Sequence, residues 1–264
     1  MKPLAETGRV LSVTHISDNV FDMLVSAPQI SSISRPGQFV HVRIDDNFDP
    51  FLRRPLSVGP CVGETLRLIF IVKGEGTRLL SEKAIGDPVD MVGPLGSDFP
   101  YPVNGQTSVF VGGGIGVVPL LLFDDRTNDT YKKHFLLGVR SRAYLPVSEK
   151  EIAQREISVS SDDGSIGFHG NIVSFLEKKI ADGEVENPVV YACGPGAMMC
   201  ALKDFCIKHD IKAYASLEVP MGCGVGACQS CAVPRTNGGG YYLVCKDGPV
   251  FDMRDVELRP ELLP

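Results

Sequence analysis

Four cysteines near the end of the chain constrain its fold more strongly than any other feature of the sequence. Cys223, Cys228 and Cys231 lie in the run GCGVGACQSC, and Cys245 follows after 13 intervening residues. The order C-x4-C-x2-C…C is the plant-type arrangement of a [2Fe–2S] cluster, whereas structural zinc sites tend to pair two short C-x2-C knuckles. The spacing favours iron–sulfur over zinc, and it leaves open whether the centre stiffens the fold or carries electrons.

Glycines interleave these cysteines at Gly222, Gly224 and Gly226. A loop that wraps around a cluster must turn sharply and aim backbone N–H groups at sulfur, and glycine permits both because it has no Cβ. The glycines therefore fit the iron–sulfur interpretation. Residues 217–264 are predicted to form a small cluster-binding segment, called the C-terminal segment below.

Composition narrows the classes of protein. The 264 residues are 44% hydrophobic and carry a net charge of −6, which suits a globular chain with a sizeable core and argues against nucleic-acid binding. The first ten residues lack the apolar core of a secretory signal, and prolines and glycines interrupt the uncharged stretch 99–123. We expect a cytoplasmic protein with no membrane span, in which cysteines are metal ligands or buried apolar residues.

The first hundred residues predict short strands. The runs GRVLSVTHI, VFDMLVSAP, GQFVHVRID and TLRLIFIVK are rich in Val, Ile, Leu and Phe, and Gly, Pro or Asp residues separate them. Such spacing indicates an antiparallel β-barrel or sandwich. Residues 1–102 are predicted to form this domain, and the run YPVNG resembles a linker.

The pattern then changes to strands that alternate with helices. SVFVGGGIGVVPLLLF predicts strand, glycine loop and helix, and PVVYACGP precedes a helix over GAMMCALKDFCIKHD. This alternation indicates an α/β domain with a parallel sheet, predicted over residues 103–216. Met199, Leu202 and Cys206 repeat at helical spacing and are expected in the core, with Cys200 also structural.

Two short motifs in the first domain suit a nucleotide cofactor. RRPLS covers Arg53 to Ser57, and VKGEGT covers Val72 to Thr77. An arginine can bind a pyrophosphate with two hydrogen bonds, and glycines let backbone N–H groups approach phosphate oxygens. Each motif alone is weak, since a glycine-rich turn between strands is usually only a turn.

Two further motifs suit a nicotinamide nucleotide. In VGGGIGVVPLL, glycines permit a tight turn before a helix N-terminus, which attracts a pyrophosphate, but the same turn serves as a structural crossover. ACGPGAMM and DDGSIGFHG form two other loops. Arg140 and Arg142 could bind a 2′-phosphate, so NADP stays an alternative. No basic cluster marks such a site, however, and NAD is favoured.

Together these motifs resemble the ferredoxin reductase-like superfamily. Arg54, Leu56 and Ser57 match its Arg-x-aromatic-Ser signature, with Leu56 in place of the usual aromatic residue. The resemblance implies an FAD site and an NAD site. The implied FAD contacts are Arg54, Pro55, Leu56, Ser57, Ile71, Val72, Lys73, Gly76 and Thr77. The implied NAD contacts are Gly113, Gly114, Ile115, Gly116, Cys193, Gly194 and Pro195, with Cys193 as a contact and not a nucleophile.

The run SLEVPMGCGVGACQSCAVP, with VCKDGPVF, resembles the electron-transfer subunits of type B dihydroorotate dehydrogenases. That resemblance covers the whole chain. It implies an FMN-containing partner subunit that oxidises dihydroorotate, in a heterotetramer of two of each chain. The present chain would pass electrons through [2Fe–2S] and FAD to NAD as co-substrate, because a flavin exchanges electrons singly or in pairs.

Two alternatives stay open. One is a reductase subunit of the same superfamily that serves a hydrogenase, sulfide or glutamate synthase system. The other is a non-catalytic regulatory or assembly protein whose four cysteines hold zinc. No catalytic residue is assigned, because the five histidines are scattered and no acid–base constellation remains. Glu218 either tunes the flavin or is an ordinary surface carboxylate.

Overall fold

The computed structural model of the chain describes residues 3–44, 49–127 and 131–263. The predicted outer ends of the first and last domains, residues 1 and 264, lie outside this range. So does Asp45, the last residue of the third predicted strand.

The first part of the chain forms a curved antiparallel sheet, as predicted. In β6, Leu66, Leu68 and Phe70 point inward and are buried, which is the alternation expected of a sheet with one packed face. The sheet contains β1 (Leu4–Ser17), β2 (Val20–Ser26), β3 (Phe39–Arg43), β4 (Arg54–Ser57), β5 (Cys61–Val62), β6 (Thr65–Ile71) and β7 (Pro88–Leu95), in the order β4-β3-β7-β1-β2-β6-β5.

This sheet nearly closes into a barrel. Gly59, just after β4, donates its backbone N–H to the carbonyl oxygen of Arg67 in β6 at 3.0 Å. Two short helices pack on the sheet, α1 (Pro28–Ile33) and α2 (Glu75–Ser81). The start of α2 falls within the motif VKGEGT, so that the glycine turn leads from a strand into a helix and not into another strand.

The middle of the chain forms the predicted parallel sheet with helices on its faces. Its strands are β8 (Thr107–Gly113), β9 (Lys133–Val139), β10 (Ser158–Ser161), β11 (Phe168–His169), β12 (Pro188–Cys193) and β13 (Lys212–Ser216), in the order β11-β10-β9-β8-β12-β13. Its helices are α3 (Val118–Arg126), α4 (Glu149–Gln154), α5 (Ile172–Ala181) and α6 (Gly196–Lys208). Every residue of β8 is buried, as expected for a central parallel strand.

In α6 the predicted core positions Met199, Leu202 and Cys206 are buried, and Cys200 is half-buried.

The C-terminal segment rests on both sheets. It contains β14 (Ala232–Pro234), β15 (Tyr241–Leu243), α7 (Val244–Asp247), β16 (Val250–Asp252) and a 3-10 turn over Pro260–Leu262. Strand β16 pairs antiparallel with β13 and so extends the parallel sheet by one strand. Ser97, which follows β7, donates its N–H to the carbonyl oxygen of Gly248 at 2.6 Å. The C-terminal segment, which contains the cluster loop (residues 221–231), is therefore anchored to both sheets.

A network of ion pairs joins the two sheets. Arg67 of β6 binds Asp22 of β2 at 2.8 Å and Glu151 of α4 at 2.7 Å. Arg155 binds Glu151 at 3.1 Å and Asp124 of α3 at 2.8 Å. These side chains are largely shielded from solvent, so the pairs fix the orientation of one sheet against the other. Within the described ranges, no helix has the length and apolar character needed to cross a membrane.

Candidate functional site

The two motifs of the antiparallel sheet lie side by side. Arg54 starts β4, and Gly76 lies in the first turn of α2. A Cβ added to Gly76 would lie 2.8 Å from Nε of Arg54, so that the guanidinium occupies the space that glycine leaves open. Thr77 Oγ1 accepts the N–H of Lys73 at 3.0 Å and so fixes the turn. In the sequence, only the resemblance to the superfamily links these two motifs. In the structure they are in contact.

The predicted nicotinamide turns also meet. After β8 the chain forms a 3-10 turn over Gly114–Val117 and then enters α3. A Cβ at Gly116 would lie 2.3 Å from the carbonyl oxygen of Cys193, and a Cβ at Gly113 would lie 2.7 Å from Cδ of Pro195. A side chain at position 116 would meet the backbone of the other turn, and one at position 113 would meet the side chains of Met198 and Pro195, so glycine is needed at both places. They meet where β8 and β12 are neighbours, at the carboxyl ends of the parallel strands, which is where open α/β sheets bind nucleotides.

Three distant parts of the chain converge beside these turns. Lys73 follows β6, Cys193 ends β12, and Glu218 follows β13. The Glu218 carboxylate interacts electrostatically with Lys73 and with Cys193. Burial raises the pKa of Glu218 while Lys73 opposes the rise, yet solvent still reaches the side chain. A crowded carboxyl group that water can reach is characteristic of a cleft between domains.

Cys193 is a neutral thiol at this convergence. Burial raises its pKa well above the ordinary value, Glu218 adds to the rise, and a hydrogen bond with Ser216 opposes it. A thiol in these surroundings stays protonated at neutral pH. A protonated, buried thiol is a poor nucleophile, and the contact of Cys193 with a cofactor stays a prediction.

Backbone N–H groups in the cluster loop point at cysteine sulfur. Ala227 and Cys228 each donate to Cys223 Sγ at 3.3 Å, and Gly226 donates to Cys245 Sγ at 3.1 Å. Gly226 adopts φ +81, and a Cβ there would lie 2.8 Å from Cδ of Lys246. The loop thus has the turn geometry and the donors that stabilise thiolate ligands, as the glycines predicted.

The four sulfurs form two pairs. Near the surface, Cys223 Sγ accepts the backbone N–H of Cys228 at 3.3 Å, and in the interior the sulfurs of Cys231 and Cys245 lie 3.2 Å apart. Hydrogen bonds with Ser230 and then Cys223 lower the pKa of the Cys228 thiol to about 6. Burial, followed by the contact with Cys231, raises the pKa of Cys245 to about 12.

Two thiolate pairs fit a centre with two irons, each of which needs two protein ligands. In the part of the chain that the structure describes, no three His, Cys, Asp or Glu side chains are grouped so as to hold a single metal ion.

His41 is the contact that sequence reasoning missed. It is 2% exposed in β3, and its ring hydrogen-bonds the backbone of Cys223 and of Arg53. Its sequence neighbourhood is that of an ordinary strand, and only the packing of β3 on the cluster loop reveals it.

The two arginines considered for a 2′-phosphate differ in their contacts. Arg142 forms an ion pair with Glu149 at 3.2 Å, and its backbone N–H donates to Ser165 Oγ in the loop DDGSIGFHG at 2.8 Å. The Glu149 carboxylate therefore balances one of the two positive charges. Arg140 is exposed just after β9.

Comparison with known proteins supplies independent findings. Residues 218–257 match the family model of the iron-sulfur cluster binding domain of dihydroorotate dehydrogenase B. The chain is 37% identical to the dihydroorotate dehydrogenase B (NAD(+)) electron transfer subunit of Desulforamulus reducens, over 92% of this chain and 95% of that protein. It is 38% identical to the subunit of the same name from Bacillus caldolyticus, over 96% and 98% of the two chains.

Solved structures share the architecture. A structure of an NADH-dependent reduced ferredoxin-NADP oxidoreductase superposes with a TM-score of 0.84 at 29% identity, covering 97% of this chain and 91% of that one. A ferredoxin NADP+ reductase from Neisseria gonorrhoeae superposes with a TM-score of 0.64 at 16% identity, covering 77% and 91%. The predicted fold class is confirmed: a ferredoxin reductase-like pair of domains followed by an iron–sulfur segment.

Proposed function

Since the chain belongs to the family of dihydroorotate dehydrogenase B electron transfer subunits, we propose that it relays electrons from an FMN-containing, dihydroorotate-oxidising subunit to NAD+. The relay runs through a [2Fe–2S] cluster and FAD. The family name implies a catalytic partner subunit. The FMN of that partner and a heterotetramer of two of each chain are part of the proposal, as is a location in the cytoplasm, where all eight cysteines stay reduced.

One observation carries the proposal. The segment that holds the four cysteines packs against both sheets, through β16 on β13 and through Ser97 on Gly248. Glu218, at its start, faces Lys73 of the first domain and Cys193 of the second. A cluster held there lies beside the place where flavin and nicotinamide would meet, which is what a relay requires and what a separate regulatory zinc site does not.

The chain's own residues have distinct tasks in this relay. Arg54 would neutralise the flavin pyrophosphate, with Ser57 at the ring edge. The turn over Gly114–Val117 would take the pyrophosphate of NAD, and the half-buried Ile71 and Val72 would cover apolar cofactor surface. Cys223, Cys228, Cys231 and Cys245 would ligate the cluster. The two predicted domain boundaries, after residues 102 and 216, remain part of this proposal.

The cofactors supply the redox chemistry when bound, because a nicotinamide exchanges hydride, a cluster exchanges single electrons and a flavin does both. The protein holds these groups in order and keeps the Cys193 thiol protonated beside them.

Anaerobic reconstitution tests the proposal. The purified chain should show flavin and iron–sulfur absorption, and NADH should bleach both. Mixed with a dihydroorotate-oxidising subunit from a relative, it should form NADH from dihydroorotate and NAD+. A colourless protein that contains zinc would refute the cofactor assignment. A correctly assembled complex that forms no NADH would refute the dihydroorotate assignment alone.

A second candidate is a reductase subunit with another electron partner. The superposition on the NADH-dependent reduced ferredoxin-NADP oxidoreductase at 29% identity favours it. In the same assay, rapid electron transfer from NADH to oxidised ferredoxin, or from reduced ferredoxin to NAD+, without dihydroorotate-linked turnover, would select this function.

A further inference from the structure

We infer that His41 is a positioning residue that holds the cluster loop against the flavin-binding sheet and thereby sets the rate of electron exchange between flavin and cluster. The inference rests on the proposed function and extends it to a residue outside the predicted cofactor contacts. The residue acts through the backbone of the cluster loop and not on a cofactor directly.

The backbone of His41 is tied to the proposed flavin site. His41 pairs with Pro55 in the register between β3 and β4, and Pro55 belongs to the motif Arg54–Ser57 that would contact the flavin. Arg53 reinforces the junction, because its Nη1 donates to the carbonyl oxygens of His41 at 3.2 Å and of Asp90 at 3.1 Å. The backbone that carries the imidazole is therefore fixed relative to the flavin motif.

The side chain of His41 is tied to the cluster loop. The ring hydrogen-bonds the backbone of Cys223, the first cluster cysteine. Gly224 follows with φ +71, and a Cβ there would lie 2.7 Å from Nδ1 of His41. Among the described residues Nε2 has no hydrogen-bond partner, and Nδ1 is the nitrogen that faces Gly224, so we assign the bonds to Cys223 and Arg53 to Nδ1. The ring thus fills the space that only a glycine at position 224 leaves.

This arrangement gives a short, rigid connection. From Pro55 it crosses one strand pairing to His41 and then one side-chain hydrogen bond to Cys223. Cys223 and Cys228 form the more exposed of the two thiol pairs, so that side of the cluster has less protein around it. Electron exchange falls steeply with separation, and a bond that fixes the loop on this side fixes the distance. Loss of the bond should lengthen that distance and make it more variable, while the motif Arg54–Ser57 keeps its own strand pairing to β3.

Three substitutions distinguish the contribution of Nδ1 from that of Nε2. His41→Asn keeps a donor near the position of Nδ1, His41→Gln keeps one near Nε2, and His41→Leu keeps neither. His134→Asn is the matched control, since His134 is half-buried in β9 on the other sheet. Each full-length holoprotein is purified anaerobically and assayed for iron and flavin content.

Two readouts are then taken. Stopped-flow absorption measures the rate at which NADH reduces the cluster after the flavin, and electron paramagnetic resonance of the dithionite-reduced cluster reports its surroundings. We expect His41→Leu and His41→Gln to slow cluster reduction about tenfold or more, as misplacement of reacting groups does. Both should broaden the resonance signal, while NADH still reduces a dye through the flavin. His41→Asn should restore the rate and signal, and His134→Asn should match the wild type.

Wild-type rate and signal in His41→Leu would overturn the inference, and so would His41→Asn as impaired as His41→Leu. If His41→Leu folds poorly, the comparison of the Asn and Gln variants decides in its place. A wild-type protein without a reducible cluster would refute the proposed function itself, and that result is visible before any variant is measured.

Discussion

At the scale of single residues, the contact between Arg54 and Gly76 decides where a cationic group can lie. The two residues come from β4 and α2, and the guanidinium occupies the space in which a Cβ of residue 76 would stand. The arginine side chain is flexible, so an added methyl group would displace it without breaking the backbone. Alanine is also a better helix former than glycine, by about 1 kcal/mol. Binding and folding should therefore respond to the same substitution in opposite directions.

We predict that Gly76→Ala weakens FAD binding about tenfold, equivalent to about 1.4 kcal/mol, while the apoprotein melts no lower than the wild type. Gly74→Ala is the control, because position 74 has extended backbone and an added Cβ would have no heavy atom of the described residues within 4 Å. Flavin fluorescence titration and thermal unfolding measure the two effects. Equal FAD affinity in both variants would show that Arg54 is not held at the flavin by this contact.

The exposed cysteine Cys228 gives a second prediction at this scale. Cys228→Ser should weaken or abolish the cluster, because a serine hydroxyl is a poorer ligand for iron than a thiolate. Dihydroorotate-linked turnover should then be lost, while FAD-dependent oxidation of NADH by dyes persists. Iron content and both rates are measured on one preparation. Loss of dye reduction with FAD still bound would contradict the assumed order of the cofactors.

The turn at Gly116 and the loop around Cys228 were predictable, because a glycine turn and a cysteine spacing are features of a short stretch of sequence. His41 was not, since its role depends on the register between β3 and β4 and on the packing of a loop almost two hundred residues later. The hydrophobic pattern of one β-strand carries no information about such long-range contacts.

At the scale of elements, the ion pairs of Arg67 link β2 and β6 to α4 across the two sheets. Burial alone would raise the pKa of Glu151, but the hydrogen bonds and charges of Arg67 and Arg155 outweigh it and lower that pKa. A carboxylate whose pKa is lowered by folding adds stability above its ordinary pKa. That contribution is lost as the pH falls through the lowered value.

We predict that Arg67→Met lowers the free energy of unfolding at neutral pH by about 3 kcal/mol, because it leaves the shielded Asp22 without its partner and Glu151 with Arg155 alone. The wild type should lose stability as the pH falls from the ordinary Glu pKa through the lowered pKa of Glu151, and the variant should lose less over that range. Urea unfolding at both ends of the range measures this. Arg78→Met, which removes exposed pairs on α2, should leave the free energy of unfolding nearly unchanged. An equal loss of unfolding free energy in the two variants would contradict the claim that the pairs of Arg67 are shielded from solvent.

Element types followed from periodicity for the long strands and for α6, where apolar spacing is sustained. Strand β16 did not, because three residues give no period, and its place at the edge of β13 is set by tertiary contacts. For the same reason the helix α2 within VKGEGT was read as a turn.

At the scale of the whole molecule, Glu218 is the residue on which the three parts of the chain converge. The protein around the Glu218 carboxylate raises its pKa although the side chain is exposed, so the ionised form costs a small amount of stability above the ordinary Glu pKa. That cost disappears as the pH falls below the ordinary value and both folded and unfolded chains are protonated. A group that destabilises the fold at working pH, at the junction of two proposed cofactor sites, has the character of a functional residue.

We therefore predict that Glu218→Gln makes the protein more stable to urea at about pH 8 and leaves its stability unchanged at about pH 4, where the carboxyl is already neutral. The same variant should reduce bound FAD with NADH more slowly, because the charge facing Lys73 and Cys193 is gone. Glu177→Gln, an exposed substitution on α5, should change neither property. A Glu218→Gln protein that is less stable at pH 8, or that transfers hydride at the wild-type rate, would make Glu218 an ordinary surface carboxylate.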